Sequence, residues 1–225
     1  MNLLLTSSGL RNETLREALR GMLGKPFGSA NIVYIPTASV AEPGDHGWFV
    51  ADMTRLYGLG WREFDVLELN GLPQQLVLDR LRRADVVYAE GGSHYHLARS
   101  ITGNNLAEGF LELLEDRVYV GVSAGSMIFS RNLTAHSADV IGDLADLHVL
   151  GATTLEPPFG LFDWYLKPHL YSPDFPERDD AWADRIAGRA DFPIYFIDDE
   201  TAVRVSDDKV DVVSEGRWRF LAAGS

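Results

Sequence analysis

The chain has 225 residues, a formal net charge of −13 and no cysteine. The negative charge argues against nucleic acid and anionic membrane surfaces as partners, because both are polyanions. The lack of thiols excludes disulfides, cysteine nucleophiles and thiolate metal sites. We expect one cytoplasmic domain over residues 1–225, since no apolar run could span a membrane and the short apolar start, unlike a signal peptide, meets polar residues at once.

Strand-like and helix-like segments alternate from the amino terminus to residue 129. The predicted strands are 2–6, 31–36, 63–69, 85–89 and 116–122, and the predicted helices are 12–24, 47–57, 73–83, 105–114 and 124–129. This alternation predicts an α/β fold in which a mostly parallel sheet has helices on both faces. Ligands bind beyond the carboxyl ends of the strands in such sheets, so we expect the functional loops to follow Thr6, Ile35, Ala89 and Val122.

The stretch from Gly121 to Gly125 has the Gly-x-Ser-x-Gly pattern of a nucleophile elbow. A strand that enters a helix through one strained residue exposes the Ser123 oxygen above the sheet, and the glycines let neighbouring backbone pass closely. The N–H of Ala124, at the start of the next helix, then points to where an oxyanion would form. The alternative interpretation is a tightly packed turn of small residues without catalysis.

A serine nucleophile needs a base, and the base needs an acid to orient it. His169 lies in an irregular segment near prolines, where a side chain can point into a site, while His94 and His96 follow a Gly-Gly pair at another strand end and could line the same pocket. No histidine follows His169, but an acidic cluster does, at residues 198–200. The chain order Ser, His, acid is therefore the one that fits.

The alternation of strands and helices is not recognisable beyond residue 135 and resumes with a predicted helix over 176–188. Short strands are then predicted at 193–197, 202–205, 210–213 and 218–221, at the spacing of hairpins, with Asp207 and Asp208 supplying one turn. This part predicts a β-rich edge at the carboxyl end of the chain.

In this order, the motifs resemble those of the peptidase E family, the aspartyl dipeptidases, and of its relative cyanophycinase. The stretches that carry the resemblance cover nearly the whole chain: LLLTS (3–7), IPTAS (35–39), EGG (90–92), GVSAGS (121–126), PH (168–169) and IDDETA (197–202). The resemblance implies a class I glutamine-amidotransferase-like, flavodoxin-like α/β fold. It also implies a serine peptidase that releases an N-terminal Asp from dipeptides through a Ser-His-acid triad, without metal or cofactor.

Carried over by position, Ser123 is the nucleophile and His169 the base. Asp199 best matches the family's usual Glu, with Asp198 and Glu200 as alternatives. The implied partner is a small peptide, and a homodimer is an open alternative to a monomer.

Further site residues are expected around these three. Gly92 is the candidate for the second oxyanion donor, because a glycine leaves its amide open. Ser93 stands where the family often has Asn or Asp, in a loop that shapes the substrate pocket. Arg178 is the first candidate to bind a substrate carboxylate, before Arg131 and Arg185, and the alternative for each is a surface ion pair.

Two other functions stay open at this point. An esterase would use the same elbow and differ only in the leaving group. A non-catalytic binding module of the amidotransferase-like fold would need no base beside Ser123, so the convergence of Ser123 and His169 separates it from an enzyme.

Overall fold

A computed structural model describes residues 1–207 and 209–224. Its strands, in chain order, are β1 (Asn2–Thr6), β2 (Asn31–Ile35), β3 (Glu63–Val66), β4 (Val86–Ala89), β5 (Val118–Val122), β6 (Tyr165–Lys167), β7 (Ile194–Ile197), β8 (Thr201–Ser206), β9 (Lys209–Ser214) and β10 (Trp218–Leu221). Its helices are α1 (Glu13–Leu23), α2 (Gly47–Tyr57), α3 (Gln74–Arg82), α4 (His94–Gly103), α5 (Ala107–Leu113), α6 (Ala124–Met127), α7 (Ala135–Ile141), α8 (Leu144–Val149) and α9 (Asp180–Ala187).

The main sheet has seven strands in the order β3-β2-β4-β5-β1-β8-β9. The first five are parallel to one another, β8 runs antiparallel to β1, and β9 runs antiparallel to β8. Strand residues point alternately to the two faces of such a sheet. Leu4, Tyr34 and Tyr88 pack with α1 and α2 on one face, whereas Leu3 and Val87 pack with α3, α4 and α5 on the other. The predicted α/β fold, with helices on both faces of a mostly parallel sheet, is confirmed.

The carboxyl-terminal strands divide between two sheets, which the sequence did not predict. The hairpin of β8 and β9 forms the edge of the main sheet, but β7 pairs with β10 and β6 in a second, three-stranded sheet. Phe196 of β7 is fully buried and packs edge-on against Trp182 of α9, with ring centroids 5.5 Å apart. Burial against α9 thus places β7 in the small sheet. Of the predicted turn, Asp207 has a φ of 53°, and Asp208 lies outside the described residues.

The topology gathers the ends of four parallel strands at one edge of the main sheet. Ser7 follows β1, the segment from Pro36 to Ser39 follows β2, Gly91 follows β4 and Ser123 follows β5. These are the four loops that the sequence pattern indicated. Within residues 1–207 and 209–224, no helix is long and apolar enough to cross a membrane.

Candidate active site

Ser123 occupies a strained bend between β5 and α6. Its φ of 45° and ψ of −104° lie outside the regions that side-chain-bearing residues prefer, which destabilises the backbone by about 1–3 kcal/mol. Hydrogen bonds hold the bend, since the Ser123 N–H donates to the Thr6 carbonyl at 3.0 Å and the Ser123 carbonyl accepts from the Ser126 N–H at 2.9 Å. Ser126 also ties the bend to β1, because its Oγ donates to the Thr6 carbonyl at 2.7 Å.

The two glycines of the motif permit this bend by letting backbone approach closely. A Cβ on Gly121 would lie 2.6 Å from the Gly125 carbonyl oxygen, and a Cβ on Gly125 would overlap the Ala89 carbonyl oxygen. Both substitutions would push α6 away from β4 and β5. The Gly-x-Ser-x-Gly pattern is therefore explained by steric need at both glycines.

Ser123, His169 and Asp199 form a continuous hydrogen-bonded chain. His169 Nε2 lies 3.0 Å from Ser123 Oγ, and His169 Nδ1 lies 2.8 Å from Asp199 Oδ1. The carboxylate selects the tautomer with a proton on Nδ1, so the lone pair of Nε2 faces the Ser123 hydroxyl. This is the arrangement that a serine nucleophile and its general base require.

Asp199 is clamped by hydroxyl groups as well as by the imidazole. Ser7 and Ser8 donate to its Oδ1 at 2.8 and 2.7 Å, and Ser172 donates to its Oδ2 at 2.6 Å. Burial alone would raise the pKa of Asp199. The hydrogen bond from His169, the charge of His169 and the hydrogen bonds from Ser172 and Ser8 act against burial and hold that pKa well below its usual range. Sequence reasoning missed these serines, although Ser7 and Ser8 directly follow the end of β1, where a functional loop was expected.

The neighbouring acids have other partners. Asp198 Oδ1 accepts hydrogen bonds from Thr201 Oγ1 at 2.6 Å and from the Glu200 N–H at 3.1 Å. Glu200 Oε2 accepts from Asn12 Nδ2 at 2.9 Å. Of the three candidate acids, Asp199 is the one that hydrogen-bonds to His169.

Two backbone N–H groups beside Ser123 are left for a ligand. Among the described residues, neither the Gly92 N–H nor the Ala124 N–H has a hydrogen-bond acceptor. Gly91 packs against the nucleophile, since a Cβ on Gly91 would lie 3.4 Å from the Ser123 Cβ. Gly92 has a φ of 122°, and a Cβ there would overlap the Ala38 carbonyl. Gly92 lines the same cleft as Ser123, whereas Ala124 follows Ser123 in the chain, is buried and is not among the residues that line the cleft; their role as oxyanion donors stays a prediction.

Of Ser93 and the two nearby histidines, His94 lines the cleft, whereas Ser93 and His96 do not. Ser93 caps α4, its Oγ accepting from the His96 N–H at 3.2 Å, and it does not line the cleft in front of Ser123. Its predicted contact with substrate therefore has no support in the geometry, because a serine at a helix start is used as a cap. His94 lines the cleft but is buried, and burial lowers its pKa to about 4.

The cleft has a volume of about 680 Å³ and is rich in charged groups. Three of its cations are paired with carboxylates: Arg11 with Asp199 at 3.4 Å, Arg55 with Asp52 at 2.6 Å, and Lys167 with Asp143 at 2.5 Å. The nearest carboxylate to Arg178 is that of Glu177, at 3.7 Å. Arg178 thus has the longest of these four ion-pair distances, and the charges of Asp143, Asp199 and Asp146 also act on it.

Arg178 also lies in a stack with the base. Its guanidinium carbon is 3.8 Å from the centroid of the Phe175 ring, and that ring lies 4.9 Å from the His169 ring. Arg131 instead forms a solvent-exposed pair with Asp163, and Arg185 is exposed on α9; neither lines the cleft. In the described part of the chain, no group of three or more His, Cys, Asp or Glu side chains could hold a metal ion.

Comparison with known proteins agrees with this geometry. Residues 3–213 match the model of Peptidase family S51. An uncharacterized peptidase of Pasteurella multocida is 25% identical over 183 residues, which cover 79% of this chain and 82% of the relative. A Drosophila melanogaster protein named "Probable alpha-aspartyl dipeptidase" is 27% identical over 226 residues, covering 98% of this chain and 89% of the relative.

Solved structures share the fold. A "Putative Peptidase E Protein" from Listeria monocytogenes EGD-e superposes with a TM-score of 0.75 at 21% identity, covering 96% of this chain and 98% of that one. A peptidase from an acI-B1 Actinobacterium gives a TM-score of 0.60 at 21% identity, with coverage of 100% and 95%. The resemblance to peptidase E is thereby confirmed, and the chain belongs to peptidase family S51 and is a peptidase.

Proposed function

We propose that the protein is a serine dipeptidase in which Ser123 is the nucleophile, His169 the general base and Asp199 the acid that orients it. The observation that carries the proposal is the pair of hydrogen bonds that His169 makes, with Ser123 at 3.0 Å and with Asp199 at 2.8 Å. A binding module has no use for a base beside that serine, so this convergence favours catalysis.

The geometry supports each proton transfer of an acyl-enzyme mechanism. His169 Nε2 takes the Ser123 proton as Oγ attacks the scissile carbonyl, and the Gly92 and Ala124 N–H groups receive the negative oxygen. His169 then gives the proton to the leaving amine. Water, deprotonated by His169, next attacks the ester and releases the acyl group with Ser123 restored. Asp199 stays ionised throughout and stabilises the imidazolium form.

A fluorophosphonate probe tests the chemistry, because it reacts with activated serines. Wild type should be labelled at Ser123, Ser123→Ala should not be labelled, and His169→Ala should react far more slowly. Ser100→Ala is the matched control, since Ser100 is a buried serine on α4 outside the cleft. Undiminished peptide hydrolysis by Ser123→Ala would refute the proposal, and hydrolysis of esters without hydrolysis of peptides would favour the esterase instead.

The proposed substrates are short peptides with a free amino terminus and Asp as the first residue. The name of the Drosophila relative supports this choice, and Arg178 supplies a cation for the β-carboxylate on the cleft wall. Replacing the substrate's Asp with Asn removes the charge but keeps the shape, so kcat/KM should fall by the equivalent of roughly 2–5 kcal/mol, as for buried charge pairs at interfaces.

A panel of Asp-, Glu-, Asn- and Leu-headed dipeptides tests this specificity in wild type, in Arg178→Ala and in the control Arg131→Ala. The preference for Asp should disappear in Arg178→Ala and persist in Arg131→Ala. Equal rates on Asp- and Leu-headed peptides in wild type would reject the aspartyl specificity and leave the serine chemistry standing. The cytoplasmic location, the peptide as partner, the lack of nucleic-acid and membrane partners, and a homodimer stay predictions.

A further inference from the structure

In the turn between β4 and α4, the backbone donors on either side of the Gly92 N–H are held by acceptors, and Gly92 itself lines the cleft. The Gly91 N–H donates to Glu90 Oε1 at 2.8 Å, and the Ser93 N–H donates to the Ala38 carbonyl at 3.0 Å. Between them, the Gly92 N–H has no acceptor among the described residues. The direction of this single N–H therefore depends on the peptide plane that carries it.

That peptide plane joins Gly91 and Gly92, and its other end is gripped by a side chain. Ser39 Oγ donates a hydrogen bond to the Gly91 carbonyl oxygen at 2.7 Å. The C=O and N–H of a trans peptide point in opposite directions. By holding the Gly91 carbonyl on the side of β2, Ser39 turns the Gly92 N–H the opposite way, and Gly91 itself packs against Ser123.

Ser39 is itself fixed. It is fully buried, at the start of a short 3-10 turn just after β2, and its N–H donates to the Pro36 carbonyl at 2.8 Å. A Gly-Gly peptide has unusual freedom to rotate, because neither residue has a Cβ. The Ser39 hydroxyl limits that freedom at one of the two peptides that carry the proposed oxyanion donors.

We propose that Ser39 is a positioning residue of the oxyanion hole: its hydroxyl orients the Gly91–Gly92 peptide so that the Gly92 N–H meets the oxyanion. The inference rests on the proposed function, and it concerns a residue that touches neither the substrate nor Ser123. Loss of the hydroxyl should weaken binding of the transition state and leave binding of the substrate unchanged.

Ser39→Ala tests this role. Deleting a whole oxyanion donor lowers kcat about 10²- to 10³-fold, so misorienting one should lower kcat about 10- to 100-fold while KM changes less than about twofold. The rate of inactivation by a fluorophosphonate should fall as well, because its phosphoryl oxygen occupies the oxyanion position. Ser39→Thr keeps a hydroxyl and should recover most of kcat, and Ser100→Ala, another buried serine, should match wild type.

The Kd of the bound dipeptide distinguishes this role from a general structural defect, because a structural defect would also weaken binding of the substrate. The dipeptide that wild type hydrolyses fastest should bind Ser123→Ala and the double variant Ser39→Ala/Ser123→Ala with the same Kd by calorimetry. An unchanged kcat in Ser39→Ala, or a loss confined to KM and Kd, would overturn the inference. Its failure is distinguishable from failure of the proposed function, which would show as activity surviving in Ser123→Ala alone.

Discussion

Three consecutive carboxylates, at residues 198–200, have three different sets of partners. Asp199 faces His169, whereas Glu200 accepts a hydrogen bond from Asn12 and Asp198 accepts one from Thr201. The segment is not extended, as the sequence suggested, but a turn closed by the Thr201 N–H, which donates to the Asp198 carbonyl at 3.2 Å, and the side chains leave this turn in different directions. Chain order therefore limits the triad acid to this segment, and side-chain direction selects Asp199 within it.

Asp199→Asn should lower kcat strongly without unfolding the protein. The amide is close in shape but carries no charge to stabilise the imidazolium, and it favours the wrong imidazole tautomer, so a loss of about 10³- to 10⁴-fold is expected. Steady-state kinetics on the best dipeptide would measure it. Glu200→Gln is the matched control, because Glu200 lies in the same segment but contacts Asn12. Equal losses in both variants would mean that the segment is structural and that Asp199 has no special role.

The sequence predicts site residues that belong to a motif or have a fixed order in the chain. It does not predict residues that come to the site only through the packing of distant segments. Ser123 was identified by its flanking glycines and His169 by its place between serine and acid. Ser172 and Ser7 could not be identified, because a serine that donates to a carboxylate from a distant segment leaves no periodic signal. The contact of Ser93 with substrate stays a prediction, because a serine after a strand has the same appearance in sequence whether it binds substrate or caps a helix, and Ser93 caps α4.

At the scale of elements, the segment between β6 and α9 carries both the base and the proposed substrate cation. His169 and Tyr171 adopt positive φ angles of 66° and 57° in this segment. The Phe175 ring contacts both groups, with its centroid 4.9 Å from that of the His169 ring and 3.8 Å from the Arg178 guanidinium carbon. One aromatic side chain therefore contacts both the proposed general base and the proposed substrate-binding cation.

Phe175→Leu should keep apolar bulk but remove both stacking contacts. Each contact stabilises the arrangement by roughly 0.5–1.5 kcal/mol, so kcat/KM should fall about fivefold or more, and further on Asp-headed than on Leu-headed dipeptides because Arg178 is loosened too. Steady-state kinetics with both peptides would show this. Phe220→Leu changes a half-exposed aromatic residue of the small sheet. It is the control and should leave kcat/KM unchanged on both peptides. An equal fall of kcat/KM on both peptides would mean that Phe175 does not contribute to recognition of the substrate's Asp.

Most of the predicted elements have strongly apolar patterns, but the ten-residue helix α4 was not predicted. Four of the five parallel strands, β1, β2, β4 and β5, consist largely of Val, Ile, Leu and Tyr, a composition typical of buried strands; β3, at the edge of the sheet, has the sequence EFDV. The three-residue strand β6 and the short helices α7 and α8 have too few residues for a periodic pattern to show. The pairing of β7 with β10 depends on contacts with α9 that sequence spacing does not encode.

Across the whole molecule, burial shifts the pKa values of ionisable groups, and three of these groups line the cleft. Burial raises the pKa of Glu90, with the charge of Asp52 acting in the same direction, and burial lowers the pKa values of Lys167 and His94. All three shifts favour the neutral form of a group placed in low dielectric. Because these groups bind protons differently in the folded and unfolded chain, they make the free energy of unfolding depend on pH.

His94 gives this dependence a defined window. Burial and the nearby Lys167 lower its pKa from 6.5 to about 4, against the opposing charge of Asp143. The unfolded chain therefore binds a proton at His94 between pH 6.5 and 4 while the folded chain does not, so stability should fall as the pH drops through this window, by roughly 3 kcal/mol at pH 4. Urea denaturation of wild type and His94→Gln across this range would measure the difference, with His136→Gln, at an exposed histidine, as the control. If the free energies of unfolding of wild type and His94→Gln stayed parallel from pH 6.5 to 4, His94 would titrate as it does in water and its neutral, buried state would be wrong.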